Sequence, residues 1–265
     1  MPFSYSIATP TIKFYTAKIV EKASNSHDSV ADQESYHRAL RFTYSDKSVE
    51  IIEGYYSVVQ ASAYLVDPKF PGKWPRECER ADVWKLEEKQ SDVNLAVDSV
   101  SDVLKDADIG HVVFVTNDTD IAPALRKLKE LTKVKIGLVI PTRHLERKEN
   151  RELSKYADWV RSSITNDELR KSLLPRTISG GKKSANRPIS WFGQPELVEE
   201  ILDVLKPVIP SPAKRWKWLD EEKPNPAGLP VLKDVPSNLL DDEVTAQHVL
   251  LHAKAYVEYM LSLVR

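Results

Sequence analysis

The chain has little of what would mark it as secreted, membrane-bound or drawn as a whole to polyanions. Its 265 residues hold a single cysteine, Cys78, so no internal disulfide framework is available and a reducing compartment is expected. No apolar run is long enough to span a bilayer, and the opening MPFSYSIATP lacks the cationic lead and apolar block of a secretory signal. Net charge is −1, from 38 Lys+Arg against 39 Asp+Glu, so only a local basic patch could attract nucleic acid. There is no internal repeat. These absences leave a cytoplasmic globular chain, with 42% hydrophobic and 29% charged residues and a length suited to one domain plus an appendage.

What is present is an alternation of strand-like and helix-like segments. IKFYTAKIV (12–20), SVEIIEGYYSVV (48–59, interrupted at Gly54), ADVWKLEEK (81–89), VVFV (112–115) and KVKIGLVIP (133–141) read as strands. VVFV and KVKIGLVIP have the uniform apolar character of strands buried on both faces. Between them lie helical stretches at 30–44, 91–107, 121–131, 151–160 and 165–175, with Ser91 placed as an N-cap. Such alternation implies βαβ units, hence an α/β fold with a mainly parallel sheet flanked by helices. Residues 66–80, rich in proline and charge, read as a loop or inserted lobe. After Pro175 the composition changes. Residues 1–176 form the expected α/β domain, 177–194 a basic Gly/Ser-rich linker, and 195–265 a helical C-terminal appendage able to serve oligomerisation or docking of a partner.

Two acidic stretches stand where strands give way to helices: EEKQSD (87–92) and NDTD (117–120). In a parallel α/β sheet the carboxyl edge is where ligands bind. An aspartate there caps a helix in the simplest case, but one cap accounts for only one of Asp118 and Asp120. If the two strands are near neighbours, Asp92, Asp118 and Asp120 converge. Three close carboxylates repel unless protonated or bridged by a cation. Oxygen donors without His or Cys suit Mg²⁺ or Mn²⁺, which activates water and stabilises charge during phosphodiester hydrolysis. The alternative is a set of caps and solvated acids. Asp98 lies six residues past Asp92, about 240° around a helix, so the two cannot share a face.

These segments resemble the NYN domain of the PIN-like nuclease superfamily. The resemblance covers about Ile12 to Pro188 and is carried chiefly by EEKQSDVNLAVD and TNDTDIAP. It implies a PIN-like, Rossmannoid fold and an endoribonuclease whose acids hold a divalent metal: Asp92, Asp118 and Asp120 as catalytic metal ligands, with Glu88 and Asn117 beside them. It also implies RNA as partner. A catalytically degenerate domain that binds RNA or protein is the alternative. In the family an additional, central strand bearing an aspartate precedes the KFYTA-like strand, whereas here no acid precedes Glu21 and ATPT is too short for a parallel crossover. Exposed strand edges are expected in consequence, with a shortened start, lost activity or complementation by another chain as the possible reasons.

Four lysines could contact RNA phosphates: Lys13 and Lys89 near strand ends, Lys182 and Lys183 in the linker. KRWKW (214–218) interleaves cations and aromatics as single-stranded RNA platforms do, yet equally suits a tryptophan anchor for the tail. His248 and His252 have zinc-ligand spacing but lack the glutamate of HExxH and a third ligand, which favours packing.

Overall fold

The computed structural model describes residues 12–24, 26–46, 48–143, 146–220 and 243–264. They fall into two compact units: the first from Met1–Gln33 and Asp46–Thr165, the second from Glu34–Ser45 and Asn166–Arg265. Helix α1 (Ser29–Thr43) begins in the first and continues in the second.

The first unit holds two three-stranded sheets. One has the order β1 (Ile12–Lys18), β2 (Val49–Tyr64), β3 (Arg80–Lys89); the other has β4 (His111–Val115), β5 (Lys135–Val139), β6 (Trp159–Arg161). Pairing is parallel for β1–β2 and throughout β4–β5–β6, as alternation with helices dictates, but β3 runs antiparallel to β2. The register makes this exception useful. β1 pairs only with the first half of β2 and β3 only with the second, and Tyr55 alone is shared, opposite both Lys18 and Lys89. The end of β3 therefore arrives at the carboxyl end of β1 although the two strands run in opposite senses.

Helix α2 (Ser91–Lys105) follows β3 directly and packs on β1, on β2 and on α3 (Ala122–Leu131), so one helix joins the first sheet to α3. Its seat on β1 is polar. Lys13 Nζ donates to Asp102 at 2.6 Å and lies 3.9 Å from Asp98, while the Tyr15 hydroxyl donates to Asp98 at 3.1 Å. Burial disfavours the Lys13 charge, but the Asp102 hydrogen bond and the charges of Asp102, Asp98 and Glu50 together outweigh it and the lysine's pKa rises; burial and the Asp98 charge push the Tyr15 phenol well above its usual range. The apolar core lies under β4 and β5, where Phe114, Ile121, Leu125, Leu128, Ile136 and Leu138 are buried.

Three expectations change here. β4 is an outer strand among the described residues, and Val113 and Val115 are exposed while Val112 and Phe114 turn to the core, so it is not buried on both faces. The predicted helix at 151–160 is a single turn, α4 (Arg151–Ser154), before β6. The Asp158 carboxylate accepts from Ile136 N–H at 2.7 Å and Lys129 at 2.5 Å, which draws the chain back to the sheet. Within 177–194, read as a linker, Thr177–Ser179 (β7) and Ser184–Asn186 (β8) form an antiparallel hairpin turned at Gly181, whose φ of +81° suits glycine.

In the second unit, α5 (Asn166–Lys171) precedes the hairpin, and α6 (Pro195–Val204), α7 (Pro212–Asp220) and α8 (Glu243–Ser262) bury a separate apolar cluster. Trp216 and Trp218 of KRWKW belong to that cluster, Trp216 stacked on Phe192 at 5.8 Å, so their faces are spent on packing the helices and not on bases. His252 is buried beside Trp218, the packing role its spacing allowed. No helix among the described residues is long and apolar enough to cross a membrane.

Candidate active site

The acidic stretches meet where β3 turns into α2 and β4 turns into a 3-10 turn, Thr119–Ile121, that packs against α2. Gln90 makes the first of these corners. Its φ of +77° is the one left-handed value at a non-glycine residue among those described, a conformation that costs energy and tends to persist at functional sites. It lets the chain reverse at once into the helix: Asn94 N–H donates to Gln90 O at 2.7 Å, making Gln90 the N-cap. Ser91 is thus the first helical residue and not the cap, and its buried hydroxyl has no hydrogen-bond partner. Asp92, one residue on, is carried to the rim.

Gly54 makes that reversal possible. A Cβ there would sit 2.2 Å from Lys89 O and 2.9 Å from Ser91 Oγ, so the strand-to-helix corner crosses β2 where β2 has no side chain. Gln90 and Gly54 are the positions that sequence reasoning missed. Gly54 was visible as a break in a strand pattern, a signal of close backbone approach; nothing in the sequence marked Gln90.

At the second corner Asp118 does cap. Its Oδ1 accepts from Asp120 N–H at 3.0 Å. Asp120, in the turn itself, is not needed for that cap. Asn117 is committed elsewhere: its amide donates to Lys148 O at 3.1 Å and accepts from Asn150 N–H at 2.9 Å, fastening the loop after β5 to the end of β4.

Asp92, Asp118, Asp120 and Glu88 are exposed at the rim and sense one another. Partial burial raises the Asp92 pKa first, and the charges of Asp118, Glu88 and Asp120 raise it further. The folded unit therefore holds this proton better than the unfolded chain. Its contribution is stabilising below the ordinary aspartate range and is lost as pH rises through the raised value, leaving mutual repulsion at neutral pH. The donors are hard oxygens, the kind Mg²⁺ and Mn²⁺ take, and Mg²⁺ commonly uses one or two carboxylates while keeping water. Among the described residues no group of three or more His, Cys, Asp or Glu side chains is set to hold a metal ion. The acids are brought within each other's field but not into a ready-made cage. Asp98, bonded to Tyr15, stands apart, as its angular separation requires.

Two of the four lysines, Lys13 and Lys89, belong to the same unit as this rim and are ion-paired with carboxylates. Lys13 is engaged by Asp102 at 2.6 Å and lies 3.9 Å from Asp98. Lys89 pairs with Glu87 at 2.5 Å, and Lys85 pairs with the same carboxylate, which these two hydrogen bonds hold down at about 2. Lys182 and Lys183 are exposed at the hairpin turn of the second unit.

The NYN domain family profile matches residues 30–163, about half of the chain and including both acidic corners. The chain belongs to the NYN domain family, a nuclease-like, PIN-like α/β class. It is 48% identical over 219 residues to a Pseudomonas putida (strain DSM 28022 / S16) protein named 6-hydroxy-3-succinoylpyridine 3-monooxygenase HspA, an alignment that spans 83% of this chain and 69% of that protein. No solved structure matches the chain.

Proposed function

We propose that the chain is a divalent-metal-dependent endoribonuclease of the cytoplasm, with Asp92, Asp118 and Asp120 as ligands and Glu88 beside them. The observation that carries this is the meeting of the two acidic corners, the Thr119–Ile121 turn packed on α2 beside a left-handed Gln90, which sets Asp92 under the charges of Asp118, Glu88 and Asp120. Acids arranged to repel at neutral pH are at odds with stability alone, and a bound cation relieves the repulsion. When bound, Mg²⁺ or Mn²⁺ supplies a polarised water and neutralises charge on the phosphate. The protein's share is to orient it: α2 fixes Asp92, the Asp118–Asp120 turn fixes its own pair, and Asn117 holds the flanking loop.

The likeness to a protein named as a pyridine monooxygenase favours a second reading, in which the chain hydroxylates a hydroxypyridine bearing an acidic acyl chain. An acidic rim repels such a substrate directly, so a cation is needed to bridge them. One pair of assays separates the two. Labelled RNA is incubated with Mn²⁺, with and without EDTA, and oxygen uptake is followed with 6-hydroxy-3-succinoylpyridine and a two-electron reductant. Mn²⁺-dependent RNA cleavage without oxygen uptake is expected. Substrate-dependent oxygen uptake with intact RNA overturns the nuclease in favour of the oxygenase.

A further inference from the structure

From Tyr56 to Tyr64, β2 is paired with β3 alone, so the two strands leave the sheet as a ribbon. A two-stranded ribbon is marginal in water by itself, and this one turns apolar groups outward, with Val59, Tyr64 and Leu86 exposed and Trp84 70% exposed. The ladder continues to Leu65, whose N–H donates to Glu79 O at 2.8 Å. Alternation from that bond directs the backbone groups of the odd-numbered β3 residues at β2, and those of Arg80, Asp82, Trp84, Leu86 and Glu88 away from it. No strand among the described residues meets that outer edge.

We infer that the outer edge of β3 pairs antiparallel with the same edge of a second copy of this chain, about a two-fold axis through Trp84. Outward-facing groups must meet outward-facing groups, which restricts the axis to whole residues. Centred on Trp84, the register sets Arg80 against Glu88 and Glu79 against Lys89, each twice by symmetry. Val83 faces Lys85, Asp82 faces Leu86 and Trp84 faces itself. No like charges are opposed. An axis on Lys85 sets that lysine against itself and Asp82 against Glu88; an axis on Val83 sets Glu79 against Glu87 and forfeits both ion-pair sets. An axis on Leu86 also opposes no like charges and sets Lys85 against Glu87, but it pairs only residues 83–89 of β3, so charge complementarity together with the longest ladder selects the register on Trp84. It makes a continuous six-stranded sheet and brings Arg80 of the second copy opposite Glu88, one of the acids that raise Asp92. Arg80 already lies on this ribbon, over the Tyr64 ring at 5.0 Å. The pairing holds whether or not the nuclease assignment does.

Sedimentation equilibrium of the full chain tests it. The expected mass is twice 30.1 kDa. Trp84→Lys and Arg80→Glu each halve it, and Arg80→Glu/Glu88→Arg restores it; the variants stay folded by circular dichroism because these side chains are exposed, and melt no lower than the wild type does when diluted to a monomer. The register has its own readout. In a Cys78→Ser background, Trp84→Cys links two chains on mild oxidation, since directly opposed hydrogen-bonded residues have Cα atoms about 5.5 Å apart, while Gln60→Cys on the other edge of the ribbon does not. A monomer at every concentration, a dimer indifferent to Trp84→Lys, or cross-linking through Gln60→Cys overturns the pairing. Loss of RNA binding in Trp84→Lys without change of mass also overturns it, and assigns the aromatic ribbon to nucleic acid.

Discussion

Asp118→Asn and Asp120→Asn are each expected to lower metal-dependent RNA cleavage by more than about 100-fold, beyond the usual cost of losing a group that merely supports a ligand. The substitutions are chosen so that folding does not confuse the result. Asp118 caps the 3-10 turn through Oδ1, which accepts from Asp120 N–H at 3.0 Å, and asparagine keeps that acceptor. Asp120 accepts nothing needed for the cap, and losing its charge eases the strain on Asp92. Both variants therefore melt within about 1 kcal/mol of wild type. Asp118→Ala, by contrast, loses charge and cap together, and a further destabilisation of about 1 kcal/mol is expected. Cleavage rates of Asp118→Asn and Asp120→Asn equal to wild type would remove both aspartates from the reaction.

Gly54→Val is expected to cost about 3 kcal/mol or more, read as the shift of the urea midpoint at constant slope. The added Cβ would stand 2.2 Å from Lys89 O, a backbone atom that cannot swing aside as a side chain would. Relief requires the β3–α2 corner to lift off β2, and Asp92 moves with it. Loss of activity should therefore accompany loss of stability, although Gly54 touches no candidate ligand. A midpoint within about 1 kcal/mol of wild type would mean that the corner does not depend on this contact.

The order of elements was legible because it rests on local periodicity. The VVFVTNDTDIAP stretch announced a strand, a cap and a helix in turn, and the cap is there. Direction was not legible. ADVWKLEEK reads as a strand either way, and only the register at Tyr55 reveals that β3 runs backwards yet ends at the right place. Burial was half legible: Val113 and Val115 have the character of core residues, but a strand at the margin of its sheet leaves one face to solvent. TISGGKKSAN reads as a linker from its glycines and lysines, which in the fold are simply the turn of a hairpin. The site followed the same division. Residue types and spacing pointed to Asp92, Asp118 and Asp120, whereas the means of bringing them near one another, a glycine under the corner and a left-handed glutamine, depends on backbone crossings between distant segments. Lys13 looked available because its partners, Asp98 and Asp102, lie more than eighty residues away in sequence.

A calorimetric titration with Mn²⁺ at neutral pH tests the acidic corner most directly. The wild-type chain should bind the ion and melt at a higher temperature in its presence, as any ligand of the native state requires. Asp92→Asn and Asp118→Asn should lose at least about tenfold in affinity. Binding should weaken in acid, as Asp92 takes up its proton at a pH above the ordinary aspartate range. No heat of binding and no change in melting temperature with Mn²⁺ or Mg²⁺, or affinities unaltered in both variants, would contradict the assignment of these carboxylates to a metal.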